Sequence, residues 1–337
     1  MKKKILTLIF IVLAILILVN IRLLVYGIQQ GWGQFNIIWN SVPIEDILQD
    51  PNQPDTLKSK LEFTLKVRAY AVEKLGLDES DNYFAYYDQG GKPILWNLSA
   101  SEPFELKPYL WKFPFLGSMP YKGFFELDRA KKERDKLVEQ GYDTRIRTVS
   151  GWSTLGILKD PILSNMLERG DGQLAEVIIH ELVHATIFIK DEIDFNENLA
   201  SFIGESGAQQ FLNDEFGDSS VALISYIHEL QDSERFKRYM LTGTKKLDSL
   251  YAGILEEPDS IRQKLKDSLI VQITNNLDTV SFNNEKYRAI FDKQLPNNAY
   301  FMAFLRYHSK EDSLRNVLDT YDGDIARMIK DLKSHYE

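Results

Sequence analysis

The chain of 337 residues contains no cysteine. That excludes disulfides, a thiolate nucleophile, a cysteine-ligated metal and a lipid-modified cysteine anchor. Histidine is scarce as well, with five residues at positions 180, 184, 228, 308 and 335. Positive charge is in the minority. Forty Lys and Arg face 49 Asp and Glu, for a formal net charge of −9. Nucleic acid as a partner is therefore not expected, because phosphate binding needs a basic face. The acidic surplus reads as a matter of solubility. No internal repeat or low-complexity stretch stands out. An apolar fraction of 44% is ordinary for a globular protein, and the length allows one large or two moderate domains.

Two of the five histidines fall in one short segment, His180-Glu181-Leu182-Val183-His184. The surrounding run LAEVIIHELVHATIFI is helix-forming and apolar almost all round, which predicts a buried helix. Residues four apart share a helix face, so both imidazoles can reach one metal ion. Zn²⁺ accepts neutral imidazole and carboxylate, and a catalytic zinc keeps three protein ligands with the fourth position left to water. The intervening Glu181 is then the base that takes the proton of that water. The bland alternative is a pair of satisfied core histidines on a partly solvated helix. It is disfavoured because buried His and Glu need partners.

With no cysteine available, the third ligand must be His, Asp or Glu. Glu197 is the choice, thirteen positions after His184 and on the first turn of the next helical segment. Glu205 suits a supporting or alternative role. The competing reading of Glu197 is a capping box, with Asp194 at the N-cap and Glu197 three residues on.

The stretch HELVHATIFIKDEIDFNENLASFIGESG resembles the core of the bacterial "putative aminopeptidase" family, metallopeptidases of the gluzincin type. The resemblance continues through YGIQQGWGQFNIIWNSVPIEDIL, WKFPFLGSMPYKGFF, GWSTLGILKDPIL and LPNNAYFMAFLRYH, roughly residues 26 to 310. It implies zinc on His180, His184 and Glu197, with Glu181 as general base. Two departures are visible. Many family members carry cysteines in the block matching WKFPFLGS, where this chain has Lys112 and Ser118. Gluzincins also place an Asp four residues after the ligand Glu to orient a histidine, and here that position is Ser201.

The remaining segments predict an α+β, zincin-like fold. Residues 26 to 50 and 56 to 76 read as helices, and 127 to 140 as a charged helix. Short strands are expected at NYFAYY, PILWNLS, KGFFEL and TRIRTVSG, and from 173 onward the chain reads as almost wholly helical. RTVSGWSTLG is the candidate edge strand for extended substrate, with Trp152 to Gly156 nearest the site. Tyr300 and Tyr307, seven apart on one helix face, and His308 are candidates to stabilise an oxyanion. A tyrosine at helical spacing also fits the core. His228 and His335 read as structural or exposed.

At the N-terminus Lys2, Lys3 and Lys4 precede the uncharged run Ile5 to Val19, and Leu23 to Val25 continue it past Arg22. That predicts one uncleaved transmembrane helix over residues 1 to 26, with the lysines cytoplasmic and the body outside the cytoplasm. Residues 27 to 337 then form the metallopeptidase domain, with an α/β substrate-side part at 27–172 and a helical part carrying the metal at 173–337. The expected function is zinc-dependent hydrolysis of peptides, most simply by an aminopeptidase. The alternative is a membrane-tethered peptide-binding or scaffolding module with a non-catalytic metal. A deformylase-type site needs a Cys ligand. An intramembrane protease needs its HExxH in a longer uncharged span than the one between Glu176 and Lys190.

Overall fold

A computed structural model describes residues 21–113, 117–149, 159–189, 192–306 and 311–336. The architecture is mixed α/β and mostly helical. The described residues open with α1 (Ile21–Trp39), then β1 (Val42–Pro43), α2 (Ile44–Gln49) and α3 (Asp55–Glu73). Strands β2 (Ala85–Tyr87), β3 (Trp96–Ser101), β4 (Trp111–Phe113), β5 (Gly117–Met119) and β6 (Tyr121–Phe124) follow. Helix α4 (Leu127–Glu139) leads to β7 (Asp143–Thr148), and β8 (Ile162–Leu163) precedes the helical half. That half comprises α5 (Asp171–Thr186), α6 (Ile193–Phe216), α7 (Val221–Gly253), α8 (Asp259–Asn275), α9 (Asn298–Arg306), α10 (Glu311–Asp319) and α11 (Ile325–Tyr336).

The strands form three small sheets rather than one. β2 pairs antiparallel with β1 and parallel with β8. β3 lies between β6 and β7, antiparallel to both, so β7 is an edge strand. β4 and β5 make a hairpin in which Lys112 faces Ser118, the two positions where family resemblance leads one to look for cysteine.

Three apolar clusters hold these elements together. The largest wraps α5 with α3, α6 and the β2/β8 sheet, and includes Leu61, Val67, Leu75, Ile162, Ile178, Ile179, Leu182, Leu199 and Ile203. A second joins α7, α8 and α9 through Met240, Leu247, Ile273 and Phe301. A third closes the β3 sheet under α4. Buried apolar area supplies roughly 25 cal/mol per Å², so the helix carrying HExxH is fixed by the largest of the three apolar clusters.

The expectation of a transmembrane helix, and of a membrane-anchored body outside the cytoplasm, is corrected here. Among the described residues no helix is long and apolar enough to cross a membrane. Residues 1–20, which hold Lys2–Lys4 and the run Ile5 to Val19, lie outside the described residues. From Ile21 the described residues are in α1. This helix carries Gln29, Gln30, Gln34 and Asn36 and docks on the protein body. Tyr26 and Gln30 both donate to the Gly123 carbonyl, at 2.9 and 3.2 Å. The approach is close at Gly33, where a Cβ would collide with the Phe125 ring. Ile28, Trp32, Phe35 and Trp39 line the exposed side of α1.

Candidate metal centre and the cavity beside it

Helices α5 and α6 form an antiparallel pair joined by a short loop. In α5 the four-residue spacing puts Glu176, His180 and His184 on one face, turned toward α6. The helices approach closely at Gly204, where a Cβ would lie 3.0 Å from the Glu176 carbonyl oxygen and 3.2 Å from the His180 Cβ. Any larger residue there pushes α6 off the histidine face.

The loop between the two helices is clasped by Asn196. The Ile189 N–H donates to its Oδ1 at 2.9 Å, and its Nδ2 donates back to the Ile189 carbonyl at 2.8 Å. Asn196 is buried, and this clasp sets the rotation at which the next residue, Glu197, faces the histidines. The capping-box reading does not hold. Helix α6 begins at Ile193 behind Glu192, so Asp194 lies within the helix and no side chain caps it.

His180 Nε2 and His184 Nε2 lie 3.2 Å apart, and Glu197 Oε2 and Oε1 stand 3.7 and 3.6 Å from them. Ligand atoms of the three residues all fall within 4.8 Å of one another, a group able to hold a metal ion. The electrostatics agree with that geometry. At His184, burial and the neighbouring His180 charge push the pKa down to about 4, against the pull of Glu197. At His180 burial also disfavours the charge. Glu197, Glu181 and Glu176 outweigh it, and the pKa is raised. The Glu197 carboxylate is held below its ordinary value, because the two imidazoles outweigh the effect of its burial. A negative carboxylate and one neutral imidazole are thus already present, and His180 is the member of the group at which a proton is favoured. His184 Nδ1 is buried without a hydrogen-bond partner, and Ser201 stands where a gluzincin Asp would orient a histidine.

Glu181 lies close enough to His180, buried Tyr83 and Arg169 to shift the ionisation of all three. Glu205 is not in the metal group. It lies in the wall of an adjoining cavity of ≈ 470 Å³, 4.0 Å from Lys237 Nζ. The cavity runs beside the metal centre between α5, α6, α7, α9 and the edge strand β7. On its metal-side wall are Glu176, Asn198 and Ser201, each within a turn of a ligand. Tyr226 donates to Glu176 at 2.8 Å, and burial raises the Glu176 pKa. Tyr300, anticipated as an oxyanion partner, is found in the cavity wall under the Arg145 guanidinium, 4.1 Å from ring centroid to Cζ. Tyr307, His308 and the segment Trp152 to Gly156 lie outside the described residues.

Asn196, Gly204, Arg145 and Arg147 were not singled out by sequence reasoning. The signal for Asn196 was present in the N-E-x-x-A continuation, and the signal for Gly204 in a glycine one turn past Ala200. The arginines carried none, since alternating charge on a short strand normally marks a solvated face.

A mostly helical α/β chain thus brings the HExxH histidines and a later glutamate together as a group able to hold a metal ion, beside a cavity with room for a small ligand. The chain belongs to the family described as "Putative aminopeptidase", whose model matches residues 25–336. No curated protein and no solved structure matches it.

Proposed function

We propose that this protein is a zinc-dependent peptide hydrolase of the aminopeptidase type. The observation that carries the reading is the convergence of His180, His184 and Glu197. Two ligands about 2.0–2.1 Å from a tetrahedral zinc lie roughly 3.3 Å apart, and the two Nε2 atoms are 3.2 Å apart. Among the described residues this group has three members, the number for a catalytic site, whereas a closed structural site uses four. The family's description supports peptidase chemistry.

Zinc bound there supplies Lewis-acid polarisation and lowers the pKa of a water. Glu181, adjacent in sequence to His180, takes the proton from the attacking water and passes it to the departing amine. The cavity receives the substrate. Glu176, half in the cavity and one turn from His180, is the carboxylate that an α-ammonium would meet. Its raised pKa reflects a charge that burial leaves under-compensated, and an ammonium group restores that balance.

The test uses the full chain loaded with zinc and peptides with free or acetylated N-termini. Glu181→Gln should keep stoichiometric zinc and lose hydrolysis, because an amide cannot accept the proton. Glu197→Ala should lose zinc affinity. Retention of wild-type affinity by Glu197→Ala, with loss in Glu205→Ala, would reassign the third ligand. Equal cleavage of blocked and free peptides would remove the aminopeptidase part.

A further inference from the structure

The cavity is charged differently along its length. Tyr226, in the second turn of α7 and packed against α5, feels Glu176, Glu205 and Glu229. The charges acting on Arg145 are Tyr300 and Arg147. The carboxylates and the arginines therefore occupy separate parts of one cavity, with the carboxylates on the side of the metal ligands.

The arginine end is built rather than incidental. Strand alternation puts Arg145 and Arg147 on the same face of β7, opposite Ser99 and Asn97 of β3. Both line the cavity. Arg145 is half-buried and stacked on Tyr300, and among the described residues neither arginine has a carboxylate partner. Its strand is held from behind. Asn297 Nδ2 donates to the Thr144 carbonyl at 2.9 Å, and the Asn298 N–H donates to Asp143 Oδ2 at 2.8 Å. Those bonds seat α9, and with it Tyr300, against β7. Two guanidinium groups with no carboxylate partner among the described residues, one of them fixed by stacking, form a site for a planar anion. The carboxylates elsewhere in the cavity repel ligands of high negative charge, such as polyphosphates. They suit a molecule with one anionic group and a neutral or cationic remainder.

We propose that Arg145 and Arg147 recognise a substrate carboxylate lying beyond the cleaved bond, so that the preferred substrates are short peptides carrying that group. The proposal rests on the peptidase reading for the position of the cleaved bond. The carboxylate belongs either to the peptide's C-terminus or to an acidic side chain.

The experiment uses the zinc-loaded full chain and three tripeptides: Ala-Ala-Ala, its C-terminal amide, and Ala-Ala-Glu amide. Hydrolysis is followed by kcat/KM. Binding is followed by calorimetry on Glu181→Gln, which separates recognition from turnover. Carboxylate recognition should favour Ala-Ala-Ala over its amide by about tenfold or more, the worth of a charge-assisted hydrogen bond. Preference for Ala-Ala-Glu amide over the neutral amide would assign the side chain as the source. In Arg145→Gln the ratio should fall to about one, while Arg145→Lys, which keeps the charge but loses the planar fork, should retain part of it. If no peptide is cleaved but binding still discriminates, the hydrolase reading falls and the carboxylate site stands. Equal affinity for all three peptides in wild type, no binding of any, or an undiminished ratio in Arg145→Gln overturns the proposal.

Discussion

Of the two histidines, His180 is the one whose protonated form the fold favours, so it is there that a proton competes with a metal most strongly. Its folded-state pKa is raised, whereas that of His184 is held down at about 4. The sign follows directly. A raised His pKa stabilises the metal-free fold below the unfolded value, and that contribution is lost as pH climbs through the folded value. Metal binding opposes it, so zinc affinity should fall as pH drops through the raised His180 value. The fall should begin at a higher pH than an ordinary histidine would give. Zinc titrations between about pH 5 and 8 should show log affinity changing by about one per pH unit below that point. A slope near two would mean that both imidazoles titrate and that the asymmetry is wrong. The candidate ligands were legible because HExxH on a helix is a local pattern, and Glu197 was the acidic residue on the first turn of the next helical segment. The asymmetry was not legible, because it depends on Glu176, Glu181 and Glu197 converging on one ring.

At the scale of elements, the α5–α6 pair depends on two residues that hold no metal. Asn196→Ala removes the clasp on Ile189 and should weaken zinc binding by about 10–100-fold, as loss of an outer hydrogen-bonding partner does. Equilibrium dialysis reads this, and wild-type affinity would show that the loop holds without the clasp. Gly204 must remain small, since added methyl groups at such a crossing cost about 1–3 kcal/mol. A second junction lies across the molecule. Lys266, 2% exposed, donates to Asp143 at 2.6 Å and to the Pro103 carbonyl at 2.9 Å, and Asn298 meets the same groups. Asp143→Ala leaves a buried ammonium without its counter-charge and should cost about 3–5 kcal/mol in denaturant unfolding. Replacing Lys266 by Met should cost less. An equal or larger loss for Lys266→Met would contradict this account. Periodicity located α3, α4, α5, α8 and the β3 and β7 strands. It did not find β8 or the β4–β5 hairpin, whose strands have two or three residues and are defined by partners distant in sequence. Nor did it show that the helix from Ile21 docks on the protein body. Only docking of Tyr26 and Gln30 on Gly123 shows which surface that helix covers.

For the whole molecule, α6 is the common wall. Glu197 at its start faces the metal ligands, while Ser201 and Glu205, one and two turns on, line the cavity. One rigid helix cannot answer to one side without the other. Whatever fills the cavity sets the position of α6, and with it the third ligand. Coupling of this kind is reciprocal: if metal tightens peptide binding, peptide must tighten metal binding by the same factor. The protein would then hold its ion most firmly while engaged on a substrate and give it up most readily when idle. Chelator-driven zinc loss from Glu181→Gln, timed with and without a bound peptide, measures that difference. Slower loss with peptide present is expected, and identical rates would show that the two sites are independent. If the rates differ, the working lifetime of the protein in a metal-poor setting is governed by its substrate supply.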